Sequence, residues 1–122
     1  MFEPDNFRRL HLIDDLRIAQ VVVVDGSIDD LFGQPALGRT RVAGRQLHIE
    51  ISSGLSEDEK SVTLYHEVLE ALTVIARHVP ELLMNFGEQD FEREGYRAFD
   101  RFGAATPATL ESVLQFYGFK GE

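Results

Sequence analysis

The sequence predicts an α+β domain, because strand patterns fill its front half and helix patterns fill its back half. The run "IAQVVVVDG" is apolar and β-branched until Asp25 and Gly26, as is typical of a buried strand. The segments "RTRV" and "RQLHIEIS" flank Ala43 and Gly44 like the two arms of a hairpin. Beyond residue 56, apolar side chains recur with the spacing of a helix face. We therefore expect a small antiparallel or mixed sheet packed on one long helix, with two to three further helices.

The first segment, residues 4 to 17, has apolar side chains at spacings of three. This spacing predicts a short helix that opens near Pro4 and Asp5. The side chains that define it are Phe7, Leu10, Ile13 and Leu16.

In the second arm of the predicted hairpin, apolar and polar residues alternate. Because side chains alternate between the two faces of a strand, Leu47, Ile49 and Ile51 should share one face. His48 and Glu50 should then lie on the polar face.

The back half contains start and stop signals for three helices. Ser56 followed by Glu59 has the form of a capping box, which predicts a helix from about residue 57 that ends before Pro80. Apolar residues cover roughly half of its circumference, as in a central core helix. A second helix is expected over residues 88 to 102, and Thr106 with Pro107 predicts a third that stops near Gly118.

Length, charge and composition restrict the function. The 122 residues suit one domain, residues 1 to 122, with a core of its own. The net charge of -9 argues against nucleic acid and anionic membranes as partners. No cysteine is present, so His, Asp and Glu are left to bind any metal. The sequence shows no targeting or membrane-spanning segment, which makes the cytoplasm the expected location.

The stretch "YHEVLE" in the long helix carries the strongest chemical signal. His66 and Glu70 are four residues apart, so their side chains project side by side and can reach one metal ion. Glu67 lies about 100° further round the helix. The alternative is a solvated helix face on which Arg77 continues the stripe of His66 and Glu70.

The order of elements around this stretch resembles small bacterial and phage zincin-like metallopeptidase domains. In those domains a strand leads into a helix that reads roughly T-L-x-H-E-x-x-H-A-x. Thr63, Leu64, His66, Glu67 and Ala71 stand at the matching positions, within a resemblance that covers about residues 36 to 102. Glu70 replaces the second histidine, which gives a His-Glu-x-x-Glu motif. The resemblance implies that His66 and Glu70 bind the metal and that the catalytic base is Glu67, which takes a proton from the attacking water.

Families of this kind that use a glutamate as third ligand take it from the next helix. There the glutamate is followed by small or apolar residues one, four, five and eight positions later. Glu94 fits this spacing completely, so the resemblance implies Glu94 as the third metal ligand. Asp90 fits less well and is expected to support the site or to substitute for Glu94. The alternative for "EQDFERE" is a solvated acidic helix start, favoured by the helix dipole.

One histidine and two carboxylates would leave the metal a weaker Lewis acid than two histidines and one carboxylate. Zinc is the metal that the resemblance implies, and manganese and iron also suit such ligands. A peptide or protein would lie along "QLHIEIS", which the resemblance makes the sheet edge beside the cleft. Candidates for stabilising the transition state are Tyr96, Tyr117 and His48.

Three hypotheses therefore stand at the level of sequence. The first is a metal-dependent hydrolase, in particular a peptidase. The second is a zincin-like domain without catalysis that serves as a binding or regulatory module, with or without a structural metal. The third is a helical domain with a small sheet in which His66, Glu70 and Glu94 do not converge.

Overall fold

The computed structural model describes residues 1–25, 28–29 and 35–120. Its architecture is α+β, as predicted. Gly26, which was expected to help end the first strand, lies outside the described residues. The elements are strands β1 (Arg17–Val24), β2 (Ile28–Asp29), β3 (Pro35–Ala36), β4 (Gly38–Ala43) and β5 (Gln46–Ser52), and helices α1 (Glu57–Ile75), α2 (Glu88–Phe102) and α3 (Pro107–Tyr117), with short 3-10 helices at Pro4–Phe7 and Glu81–Leu83.

The prediction of a helix over residues 4 to 17 is wrong beyond the first turn. The 3-10 helix starts at Pro4 as predicted but ends at Phe7, and Arg9 and Asp14 adopt positive φ angles of 60° and 51°. The backbone then pairs with β1 instead, since Ile18 N donates to Leu10 O at 2.8 Å. A short isolated helix is marginal, so pairing with a strand satisfies this backbone better.

Strands β1, β5 and β4 form a mixed sheet in that order. The predicted hairpin is confirmed, with β4 antiparallel to β5, and β1 runs parallel to β5 on its other side. The expectation that "QLHIEIS" forms the sheet edge is wrong, because β5 is the central strand. Within the described ranges β4 pairs with β5 alone, so the edge strand beside α1 is β4.

The sheet has one covered face and one open face. Leu47, Ile49 and Ile51 are buried on the covered face, as the alternation in β5 predicted. Strand β1 was expected to be buried throughout, but Val22 is 37% exposed on the other face. In the part of the chain that the structure describes, the helices pack on the face of the sheet that carries Leu47, Ile49 and Ile51, which explains why Val22 on the other face is accessible.

Helix α1 is the centre of the core. Its start is the predicted capping box, in which Glu59 N donates to Ser56 Oγ at 3.1 Å and Ser56 N donates to Glu59 Oε1 at 3.4 Å. Leu64, Leu69 and Leu72 are fully buried in the main hydrophobic cluster, which also contains the covered face of the sheet.

Two glycines let neighbouring elements approach α1 closely. A Cβ at Gly38 in β4 would lie 2.6 Å from Thr63 Cγ2. A Cβ at Gly95 in α2 would lie 2.8 Å from the carbonyl oxygen of Val62. Side chains of β4 and α2 therefore reach the polar stripe of α1.

Helices α2 and α3 have the predicted bounds, and Gly118 ends α3 with a φ of 92°. The connection between them is tied to α1 by Tyr65. Its hydroxyl donates to Gly103 O and lies within hydrogen-bond distance of Thr109 Oγ1, both at 2.8 Å. Within the described ranges no helix combines the length and apolarity needed to cross a membrane.

Candidate metal centre

His66 lies at the centre of a group of carboxylates. Its side chain is only 13% exposed, and Nε2 lies 3.4 Å from Glu70 Oε2 and 3.9 Å from Glu67 Oε2. One donor atom from each of these three residues lies within 4.8 Å of the others, close enough for one cation to contact all three. The predicted approach of His66 and Glu70 on α1 is therefore present in the structure.

Glu67 is held between α1 and the edge strand. Its side chain is 8% exposed, and Oε1 accepts a hydrogen bond of 2.9 Å from Thr40 Oγ1 in β4. Burial raises the pKa of the Glu67 carboxyl, and the neighbouring His66 and the Thr40 hydroxyl only partly oppose this effect. A carboxylate with a raised pKa is a better proton acceptor, which suits a general base.

Glu88, at the start of α2, completes the group from the opposite side. Its Oε1 lies 3.0 Å from His66 Nε2, closer than the carboxylate of Glu67 or of Glu70. A hydrogen bond with Glu70, together with partial burial and the charge of Glu70, raises the pKa of Glu88 to about 7. The hydrogen bond with His66 lowers the pKa of Glu70, so this pair of carboxyls keeps one proton close to neutral pH.

The charge of this group also acts on His66. Burial alone would lower the pKa of His66, but the hydrogen bond with Glu70 and the charges of Glu67 and Glu88 outweigh it and raise the pKa. Three carboxyls thus surround one imidazole, and protons neutralise part of their repulsion. A divalent cation would replace those protons, because nitrogen and oxygen donors of this kind bind zinc and manganese.

Sequence reasoning missed Glu88 and Thr40. The spacing rule used for the third ligand selects acids at the edge of a buried helix face, whereas Glu88 reaches inward from an exposed first turn, with 68% of its side chain accessible. The available signals were the position of Glu88 in the first turn of α2 and Gly95, whose missing side chain allows α2 to cross α1 beside His66. The role of Thr40 depends on the contact between β4 and α1, which the sequence alone does not reveal.

Glu94, the expected third ligand, is outside this group. Its carboxylate is buried and bonded elsewhere: Tyr117 Oη donates to Oε1 at 2.7 Å, and Arg93 and Arg97 each donate to Oε2 at 3.1 Å. Oε1 therefore joins α2 to α3 through Tyr117, and Oε2 is engaged with two arginines of α2 itself. The apolar pattern after Glu94 correctly marked a residue at the edge of the buried face, but it does not distinguish a ligand from a structural ion pair.

Asp90 has a local role. Its Oδ2 accepts a hydrogen bond of 2.9 Å from Gly87 N, which caps the start of α2, and Oδ1 lies 3.2 Å from Arg93 Nη1. These contacts orient the first turn of α2, from which Glu88 extends. Asp90 thus supports the site indirectly, through the helix that carries Glu88.

A cavity of about 1370 Å³ opens over the group and extends around the edge strand to the open face of the sheet. Tyr96 and His48, two of the three candidates for transition-state stabilisation, line it. Tyr117 is not among its lining residues, and burial followed by the hydrogen bond with Glu94 raises the pKa of its hydroxyl. Tyr96 is the candidate on the same helix as Glu88.

Comparison with known proteins adds no family to this geometry. No protein-family model, no curated protein and no solved structure matches the chain. The likeness to zincin-like domains therefore remains a resemblance of motif and element order, and the site is argued from its own residues.

Proposed function

We propose that the protein is a metal-dependent hydrolase that acts on peptides, with His66, Glu70 and Glu88 as the metal-binding residues. The observation that carries the proposal is the convergence of one imidazole and the carboxylates of Glu70 and Glu88 from two different helices. The alternative of a solvated face concerned α1 alone, whereas Glu88 of α2 lies 3.0 Å from His66. Glu88 replaces Glu94 in the set implied by the resemblance.

The donor set suits a divalent cation, which would polarise a substrate carbonyl and make water more acidic. Glu67 then serves as the base: its Oε2 faces His66 while Thr40 fixes its other oxygen. Holding one oxygen leaves the other free to accept a proton from water and to pass it to the leaving amine. Because Glu67 is buried, bulk water has little access to its carboxylate and would not readily exchange the transferred proton.

Two features favour an extended peptide as substrate. Among the described residues the outer edge of β4 has no strand partner, and a peptide that pairs with it would pass Thr40 and therefore Glu67. The cavity also has an apolar lining that could contact peptide side chains. Nine large hydrophobic side chains are exposed in the described part of the chain, and five of them line the cavity: Val22, Leu37, Val42, Val74 and Tyr96.

The carboxylate-rich donor set favours a second candidate, a binding module with a structural metal. Two carboxylates lower the charge on the cation and weaken its effect on water, so metal binding does not guarantee turnover. This candidate uses the same ligands and the same edge strand but needs no base. The two candidate functions therefore differ in whether Glu67 is needed.

Metal content and turnover test the proposal in sequence. We expect tag-free protein to bind about one equivalent of zinc or manganese by mass spectrometry and calorimetry, and His66→Ala and Glu88→Gln to lose it. Glu94→Gln is the matched control, because it removes one carboxylate from the same helix without touching the group. Loss of metal in Glu94→Gln together with retention in Glu88→Gln would reverse the assignment.

Turnover is then measured on a library of quenched fluorescent peptides. Hydrolysis that disappears in Glu67→Gln, with metal content unchanged, supports the hydrolase. Peptide binding without hydrolysis by the metal-loaded parent supports the binding module. Absence of metal from the parent after reconstitution with zinc and manganese would refute both. The cytoplasmic location expected from the sequence remains a prediction.

A further inference from the structure

A second groove, of about 550 Å³, lies on the side of β1 near the N-terminal segment. Among the residues that the structure describes, it is lined by three arginines and by no carboxylate, although the protein carries a net charge of -9. The described lining is Arg8, Arg9, Arg17, Ile18, Ala19, Gln20, Gln46 and His48. The groove is thus a local region of positive charge on an acidic protein.

The arginines of this groove have no carboxylate partner in the described part of the chain. Elsewhere five arginines form ion pairs with acids: Arg39, Arg45, Arg77, Arg93 and Arg97. Of the other five arginines, three line this single groove. Arg17 Nη1 donates instead to the backbone oxygen of Arg9 at 3.2 Å, which holds one guanidinium against the neighbouring loop. Like charges held together in this way favour an anion between them.

His48 provides an independent observation. Its Nδ1 is buried and has no hydrogen-bond partner, although buried polar atoms are usually paired. Strand register puts Arg41 opposite His48 on β4, on the open face of the sheet. Imidazole, guanidinium and the amides of Gln20 and Gln46 together offer donors but no negative charge.

We propose that this groove binds a phosphate-class oxyanion, held by Arg8, Arg9 and Arg17 with His48 at its inner side. Guanidinium groups match the geometry of phosphate oxygens, and a compact dianion would neutralise more than one of them. The phosphate can belong to a small phosphate ester or to a phosphorylated side chain of a partner. His48 and Gln20 line both this groove and the cavity over His66, but the three arginines that would hold the anion line only the groove.

Calorimetric titration of EDTA-treated protein with inorganic phosphate, glycerol phosphate and a phosphoserine peptide tests the site. We expect saturable binding that weakens at least about fivefold in Arg8→Gln and in His48→Asn, as loss of a charge-assisted hydrogen bond implies. Lys120→Gln removes the same charge at a distant position and should bind as the parent does. His66→Ala should also bind as the parent does, which excludes residual metal as the phosphate ligand.

The imidazole nitrogen resonances of His48 provide a direct readout. When phosphate is added, these resonances should shift in the parent and in His66→Ala. Tighter binding of glycerol phosphate than of the peptide would identify a small molecule as the source, and the opposite order a modified protein. Binding that is absent, or that weakens equally in Lys120→Gln and Arg8→Gln, would overturn the proposal, because it would reflect overall charge alone.

Discussion

Gly95 of α2 lies directly against His66 of α1. A Cβ at position 95 would lie 3.2 Å from the Cβ of His66 and 2.8 Å from the carbonyl oxygen of Val62. Backbone atoms cannot move aside as the end of a side chain can, so the two helices cross this closely only because residue 95 has no side chain. The separation between His66 and Glu88 depends on that crossing.

Gly95→Ala should therefore separate the helices. Alanine favours a helix by about 1 kcal/mol over glycine, but overpacking of this kind costs about 1–3 kcal/mol. Because the clash is with a backbone oxygen, we expect the upper part of that cost, about 2–3 kcal/mol, and hence a net loss of about 1–2 kcal/mol in the free energy of unfolding by urea. Metal binding should weaken as well.

Gly54→Ala is the control for this substitution, because the nearest atom to its added Cβ, Ser52 Oγ, would lie at an ordinary 3.7 Å. It should change the free energy of unfolding by less than about 0.5 kcal/mol. A Gly95→Ala variant as stable as the parent would show that the crossing has room to adjust.

Thr40→Val should destabilise the protein, although valine has nearly the same shape as threonine. It removes the donor to Glu67 Oε1 and leaves a buried carboxylate oxygen unpaired. The expected cost is about 1–3 kcal/mol of unfolding free energy, and any hydrolytic activity should fall because Glu67 is no longer oriented.

Thr73→Val is the matched comparison for Thr40. Its hydroxyl donates at 2.8 Å to Leu69 O within α1, a carbonyl that belongs to the helix in any case. Thr73→Val should therefore cost less than Thr40→Val. Equal losses in the two variants would remove the special role assigned to the Thr40–Glu67 contact.

The stability of the metal-free protein should fall as the pH rises from about 5 to about 8. The folded-state pKa of Glu88, about 7, lies above its ordinary value of 4.5, so the folded protein holds a proton that the unfolded chain has released. His66 acts in the same direction, because its raised pKa gives stability that is present below 6.5 and is lost as the pH passes its folded value.

Unfolding by urea at a series of pH values measures this slope. Glu88→Gln should flatten it, since the amide does not titrate in either state. Saturating zinc or manganese should reverse it, because the cation binds the deprotonated carboxylates. A metal-free parent that gains stability between pH 6 and 8 would contradict the raised pKa values of Glu88 and His66.

Tyr117→Phe should weaken the contact between α2 and α3 and leave metal binding unchanged. The hydroxyl donates to Glu94 at 2.7 Å in a buried position, so its removal should cost about 1–3 kcal/mol of unfolding free energy. Metal content is measured on the same sample. A loss of metal in Tyr117→Phe would mean that Glu94 contributes to the site after all.

The sequence predicted elements well where the local signal was self-contained. The Ser56–Glu59 capping box and the Thr106–Pro107 start depend on residues a few positions apart, and both are present in the structure. The His66–Glu70 approach is equally local, since both residues lie on one helix.

Features that depend on tertiary packing were not predictable in the same way. The pattern of Phe7, Ile13 and Leu16 correctly marked burial, but pairing with β1 replaced the expected helix. The order of the strands and the reach of Glu88 both follow from how elements distant in sequence pack. No spacing within one segment contains that information.

Through the hydrogen bonds of Tyr65, the connection between α2 and α3 should influence the proposed metal site, which it does not touch. Tyr65 and His66 are consecutive on α1, so an anchor on the first fixes the direction in which the second points. A small rotation of α1 about its axis would break the contacts with Gly103 and Thr109 and, at the same time, turn the imidazole away from Glu88. Substitutions in residues 103 to 109 should therefore alter the cation affinity of the protein even where they leave its overall stability intact.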